Sequence, residues 1–117
     1  DLTLAVLESA HVERSSFHEA TLEAVSFEGA VLDYLNFIRA DLVGQDFSGV
    51  DLRGQLALFD TDVRNVNLSG LDLHTSDLRG ADLTGADLSG TVLDRVEFDD
   101  TTIWPEGFDP WAAGSWR

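Results

Sequence analysis

Three histidines, a scatter of serines and threonines, a glycine-rich run and 22 acids are the residues of this sequence that could carry chemistry. His11, His18 and His74 would act as bases or metal ligands if two of them could share a proton or an ion. Ser15, Ser16, Thr61 and Ser76 would be nucleophiles if a base and an acid stood beside one of them. The run from Gly80 to Gly90 has the composition of a phosphate loop, and Asp99 with Asp100 could form an acid–base pair. Cysteine is absent, so disulfide and thiolate chemistry are excluded. Each remaining reading depends on which residues the fold brings together.

What positions them is a five-residue rhythm. Leu, Phe, Val or Ile occupies positions 2, 7, 12, 17, 22, 27, 32, 37, 42, 47 and 52. After one extra residue the beat resumes at 58, 63, 68, 73, 78, 83, 88, 93, 98 and 103, so that all 21 slots are large and apolar. A period of five fits neither a helix nor a strand. The chain must therefore turn a corner every few residues and repeat. Two residues before each apolar centre the side chain is mostly small or apolar, with Gln45 the exception. The residue between is most often Asp or Asn, as at Asp41, Asp62, Asn67, Asp72, Asp77 and Asp82. Gly29, Gly44, Gly49, Gly54, Gly70, Gly80, Gly85 and Gly90 all fall two residues after a centre, where a positive-φ corner is expected. The extra residue within Arg53–Ala57 reads as a one-residue bulge at a corner, with Phe59 turned outward.

The stretch Leu78-Arg79-Gly80-Ala81-Asp82-Leu83-Thr84-Gly85-Ala86-Asp87-Leu88-Ser89-Gly90 resembles the pentapeptide-repeat family and its A(D/N)LXX motif. The resemblance covers residues 1–103 and implies an all-β fold, a right-handed four-sided parallel β-helix. In such a solenoid four pentads make one coil. About five coils stacked about 4.8 Å apart give a rod on the order of 25 Å long. Residues 1–103 are expected to form the β-helix, and 104–117 a short C-terminal cap.

The four-sided arrangement assigns the stacks. The first face holds Leu2, Leu22, Leu42, Val63, Leu83 and Ile103; the second Leu7, Phe27, Phe47, Leu68 and Leu88. The third holds Val12, Leu32, Leu52, Leu73 and Leu93; the fourth Phe17, Phe37, Leu58, Leu78 and Phe98. The structural core is thus expected at Phe17, Phe27, Phe37, Phe47, Leu58, Leu78 and Phe98, with Phe17 over Phe37 and Phe27 over Phe47. Trp104, Phe108 and Trp111 lie where the rhythm is lost and are read as a lid over the apolar lumen. Gyrase-binding members of the family pair through their C-terminal ends, so these residues are also the candidates for a homodimer contact. The sequence begins in mid-register, and the expectation is that further residues or a domain precede Asp1.

Within this frame the candidate chemistry dissolves. His11 and His74 share a face but lie three coils apart, roughly 14 Å by the strand spacing, and His18 is on another face. No Ser-His-acid set can be placed, because hydroxyls at inward or corner slots satisfy backbone groups. No helix follows the glycine-rich run, whose spacing is that of corners. The chain is read as a non-enzyme without catalytic, cofactor-binding or metal-binding residues.

Charge is what rises above the scaffold. The 22 acids face 7 arginines and no lysine, a net of −15. On a 25 Å rod the repeat region would carry roughly one negative charge per 1.8 Å, against about one per 1.7 Å in duplex DNA. The faces differ. Asp1, Glu23, Asp41, Asp62 and Asp82 meet only Arg64 on the first; Glu8, Glu28, Asp46 and Asp87 meet no base on the second. A basic protein partner is therefore expected at Glu8, Glu23, Glu28, Asp41, Asp46, Asp62, Asp82 and Asp87. Direct nucleic-acid binding is disfavoured by repulsion. No apolar run approaches the ~20 residues of a membrane helix, and no signal peptide is visible. The absence of lysine suits a GC-rich bacterial genome, and a bacterial cytoplasmic location is expected.

The function expected is a non-catalytic repeat scaffold or protein-interaction module within a longer protein. One alternative is an acidic DNA mimic that binds a DNA-handling enzyme such as DNA gyrase, like the family's quinolone-resistance members. Those members are longer and often carry a projecting loop, which this sequence lacks. The other alternative is a regulatory appendage of an enzyme domain outside this sequence.

Overall fold

Each pentad builds one side and one corner of a square coil. The amide of a lumen-facing centre donates to the coil below, as Leu22 does to the carbonyl of Asp41 (3.1 Å) and Leu42 to that of Asp62 (2.9 Å). The amide of the Asp slot donates to the coil above, from Asp41 to Ala20 (2.9 Å) and from Asp62 to Ala40 (3.0 Å). At the corner the next inner residue donates back to the preceding centre, as Ala81 does to Leu78 (3.1 Å). The result, in a computed structural model that describes Leu2 and residues 4–112, is a four-sided parallel β-helix with extents of 35 × 22 × 21 Å. Asp1 and residues 113–117 of the expected cap lie outside the described residues.

Three short strands are regular enough to name: β1 (His11–Glu13), β2 (Val31–Asn36) and β3 (Asp51–Ala57). They pair in parallel in the order β1-β2-β3, with His11 opposite Val31 and Val31 opposite Asp51. Elsewhere single bridges mark the coils, such as Asp41 with Asp62 and Asp62 with Asp82. The predicted bulge is present. Asp33 pairs with Arg53 and Leu35 with Leu56, so Tyr34 alone faces both Gly54 and Gln55. Phe59 stays outside the lumen, half-buried, under the Arg79 guanidinium at 5.7 Å.

The corner conformation belongs to the fold and not to glycine. Leu4, Ser9, Arg14, Glu19, Ala24, Tyr34, Arg39, Asp60, Asn65, Thr75 and Arg95 all take positive φ at the corner position. Gly49, expected to share it, does not. At Gly80 (φ +72°) a Cβ would overlap the Asp60 carboxylate and displace that side chain.

The lumen fills as expected in the middle of the rod. Phe27, Phe37, Phe47, Leu58, Leu78 and Phe98 are buried. Phe17 stacks on Phe37 and Phe27 on Phe47, each with centroids 5.2 Å apart. Phe37 and Phe47 meet edge-on at 6.2 Å across the lumen. Phe17 itself is only half-buried, as are Leu2, Leu7 and Val12, because no coil lies beyond them among the described residues. Polar residues in inner slots are satisfied by carbonyls left at the coil edges. Gln45 Nε2 donates to the Leu22 carbonyl and Thr61 Oγ1 to that of Phe37 (2.7 Å).

One stack is corrected. Asp82 pairs with Ile103, and the Leu83 amide donates to the Ile103 carbonyl at 2.7 Å. Ile103 thus sits in the Asp slot, 51% exposed, and Trp104 takes the lumen slot under Leu83. The cause is a second extra residue, in the corner Asp99–Thr102, where the Thr102 amide donates to the Asp99 carbonyl (3.2 Å). Thr102, not Thr101, becomes the inner residue, donating to the Leu78 carbonyl at 2.9 Å. Beyond it Trp104 packs edge-on to Phe98 (5.4 Å) and stacks on Phe108 (5.3 Å). Trp111 touches Phe98 at 5.2 Å but is 58% exposed, so it borders the lid without sealing it.

Candidate functional site

The Asp slot is where fold and surface compete for the same carboxylates. Its side chain lies beside the centre and caps the turn that follows. In nine pentads the Oδ1 atom accepts from the backbone amide two residues on, at 2.9–3.3 Å. Asn36 and Asn67 do this as well as Asp41, Asp46, Asp62, Asp72, Asp77, Asp82 and Asp87, so the bond needs the oxygen and not the charge. Where the next residue after the centre is arginine, it folds back onto the same carboxylate. Arg53 reaches Asp51 at 2.8 Å, Arg64 reaches Asp62 at 2.7 Å and Arg79 reaches Asp77 at 2.8 Å. The Asp-x-Arg spacing at this register was visible in the sequence and is the signal that separates tied arginines from loose ones.

These bonds shift the carboxylates. The Ser48 hydroxyl and amide hold Asp46 below the usual range, Ser89 does so for Asp87, and Thr101 for Asp99. Hydrogen bonds from Arg64 lower Asp62 against a burial effect that raises it. Burial is the largest single influence on Asp77 and raises it, yet the combined bonds and charge of Arg79 bring it down. A group with a depressed folded pKa stabilises the fold above its unfolded value and loses that contribution as pH falls through the folded one. In buffer salty enough to screen the general repulsion, the melting temperature should hold from pH 7 to 5 and drop below about pH 4. A melting temperature that kept rising down to pH 3 would contradict this.

On the first face Asp41, Asp62 and Asp82 form one column of bridged residues, and Arg64 feels all three charges. Glu23 lies exposed in the coil above. On the second face Asp46 and Asp87 are separated by the neutral Asn67, which bridges to both. Glu8 accepts from Ser26 Oγ at 2.8 Å in the next coil, and Glu28 is exposed. The side chains of Glu23 and Glu28 make no hydrogen bond or ion pair among the described residues. Six of the eight expected contact acids are exposed, and Asp62 and Asp82 are half-buried. Among the described residues, no arginine lies on the second face, and five of the six lie on the third and fourth.

The histidines stay apart and make local pairs: His18 with Glu19 at 3.4 Å, and His74 with Asp94 at 3.2 Å. His11 is exposed on β1. Among the described residues no group of three His, Cys, Asp or Glu could hold a metal ion, and no helix is long and apolar enough to cross a membrane.

The family model for pentapeptide repeats matches in eight copies over residues 15–54 and 58–100, its gap falling on the bulge. No curated protein matches the sequence. Three solved structures are similar. One is a pentapeptide repeat protein from the Arabidopsis thaliana thylakoid lumen (27% identity, 86% of this chain and 66% of that one, TM-score 0.41). Another is HetL, a pentapeptide repeat protein involved in heterocyst differentiation regulation from the cyanobacterium Nostoc (26%, 87% and 48%, 0.44). The third is QnrB1, a plasmid-mediated fluoroquinolone resistance protein (14%, 84% and 65%, 0.49). This chain thus spans less than two thirds of the length of each.

Proposed function

The chain belongs to the pentapeptide-repeat family, and from that premise we propose that it is a non-catalytic interaction module whose first two faces dock a basic protein surface. The observation that carries this reading is the uneven division of arginines around the rod. The first two faces present Glu8, Glu23, Glu28, Asp41, Asp46 and Asp87 to solvent, and their one arginine, Arg64, is tied to Asp62 at 2.7 Å. A partner bearing Lys or Arg would meet unneutralised carboxylates there, and on the other two faces carboxylates interspersed with five of the six described arginines.

The turn geometry supplies a clean test. Asp→Asn keeps the Oδ1 acceptor that caps the turn and removes only the charge. A variant with Glu8→Gln, Glu23→Gln, Glu28→Gln, Asp41→Asn, Asp46→Asn and Asp87→Asn should therefore fold as before. Its binding of an arginine-rich peptide at about 0.15 M salt should weaken at least tenfold. The matched variant on the other faces, at Glu13, Glu19, Asp33, Asp72, Asp94 and Glu97, should lose about threefold or less by the same reasoning. Equal losses would reject the proposal.

The DNA-mimic alternative predicts inhibition of supercoiling by purified DNA gyrase at micromolar protein, and unchanged activity would remove it. The rod is a poorer match to DNA than a 25 Å cylinder suggests. A net charge of −15 over the 35 Å long axis is about one per 2.3 Å, sparser than the roughly 1.7 Å of duplex DNA.

A further inference from the structure

Four depressions along the described surface are lined by carboxylates: Glu28 and Asp46; Asp77 and Glu97; Asp72; Asp87 and Glu106. Another, walled by Arg14, Ser15, Ser16, Tyr34 and Asn36, has no carboxylate in its lining. It sits where the third face turns into the fourth, diagonally across the rod from the corner that the two acidic faces share. In a chain of net charge −15 a depression without an acid is a departure that calls for a physical account.

Its lining is rich in donors, and part of its acceptor capacity is already used. Ser16 Oγ accepts from the His18 amide (3.3 Å), and Asn36 Oδ1 accepts from the Ile38 amide (2.9 Å). Each oxygen keeps one further lone pair, while the Ser16 hydroxyl proton and the Asn36 NH2 are free to donate. Ser15 is spent, since its hydroxyl donates to the Glu13 carbonyl at 2.9 Å. The Tyr34 residue is 53% exposed, and its phenol makes no hydrogen bond among the described residues. Arg14 lies 5.7 Å over the Tyr34 ring, with its side chain 78% exposed. Its carboxylate neighbour, Glu13, is 3.5 Å away, against 2.7–2.8 Å for the tied arginines 53, 64 and 79.

The bulge is what holds this arrangement. Tyr34 takes the positive φ (+51°) common to the corners, and the bulge sets what lies opposite its ring. The extra residue in β3 places Gly54 and Gln55 opposite it. A Cβ at Gly54 would come within 2.8 Å of the Tyr34 ring, so the bare glycine is the seat on which the ring lies. Arg14 covers the ring from the preceding coil. Ser16 and Asn36 are bridged in adjacent coils at the floor.

We propose that this depression binds a carboxylate group, presented by an Asp or Glu side chain or a free C-terminus of a partner peptide. A carboxylate is an acceptor-only group with two oxygens and about four lone-pair sites. The Arg14 fork, the Tyr34 and Ser16 hydroxyls and the Asn36 amide can fill them. A phosphate dianion offers similar oxygens, but the negative rod repels two charges about twice as strongly as one. This site is independent of the acidic faces, and either assignment can fail without the other.

Amide spectra of the 15N-labelled chain titrated with acetate provide the test, with acetamide as the neutral isostere and inorganic phosphate as the competing anion. Saturable shifts confined to Arg14, Ser16, Tyr34 and Asn36 are expected with acetate, and none with acetamide. Arg14→Gln should weaken acetate at least tenfold and Tyr34→Phe several-fold, with the rest of each spectrum unchanged because both side chains lie outside the core. Glu13→Gln frees Arg14 and should tighten acetate several-fold. Equal shifts with acetamide, unaltered saturation in Arg14→Gln, or no tightening in Glu13→Gln would each overturn the site. Tighter saturation by phosphate than by acetate would overturn the choice of carboxylate.

Discussion

Phe37→Ala should destabilise the protein by about 3–5 kcal/mol and lower its melting temperature by roughly 10–20 °C. Phe37 is fully buried, stacked under Phe17 at 5.2 Å and edge-on to Phe47 at 6.2 Å. Truncation to Ala removes the ring that joins two coils and both sides of the lumen. The hole cannot collapse along the rod, because hydrogen bonds such as Phe37 to Ala57 (2.9 Å) and Asn36 to Ser15 (3.0 Å) fix the coil spacing. The cost should therefore lie toward the cavity-retaining end of the range. Phe17→Ala, at a half-buried ring in the first coil, should cost about a third as much by the same argument. Calorimetric melts of the two variants check both statements, and a Phe37→Ala melt within a degree of the parent would place Phe37 outside the lumen.

The period of five was legible because the lumen admits only large apolar side chains, and nothing else in a protein produces that spacing for so long. The bulge was legible for the same reason, since skipping a beat at Leu52 and resuming at Leu58 leaves no other register. The second slip was not. Ile103 falls on the beat and is apolar, so pattern alone places it in the lumen, while the fold puts Trp104 there. Two apolar residues in succession make a one-residue shift invisible to a test of type. The local signal was Asp99-Asp100-Thr101-Thr102, where Asp99 takes the Thr101 amide (2.9 Å) and gives its own amide to Thr102 Oγ1 (3.1 Å).

The surface was legible only in sum. Sequence gives the charge of each face but not which oxygens are spent on turns, and at Asp46 or Asp87 that decides what a partner meets. The donor-lined depression could not be read at all, because Arg14, Tyr34 and Asn36 come from two coils and meet through the bulge of a third.

Trp104→Ala should cost about 2–4 kcal/mol, less than a full Trp deletion because the ring is half-buried. The indole packs on Phe98 (5.4 Å) and Phe108 (5.3 Å) and ends the stack below Leu83, which is fully buried. Coils in a solenoid contact mainly their neighbours, so the damage should stay local. Hydrogen exchange should accelerate first at Leu83 and Ile103, whose amides join the last coil to the one before, while Leu42 and Phe47 stay protected. The same pair of positions distinguishes the two registers. With Ile103 exposed in the Asp slot, Ile103→Ala should change stability by about 0.5 kcal/mol or less. Were Ile103 the lumen residue, that substitution would cost about 2–5 kcal/mol and Trp104→Ala would cost little. The ranking of the two melts therefore decides where the last coil ends and the lid begins.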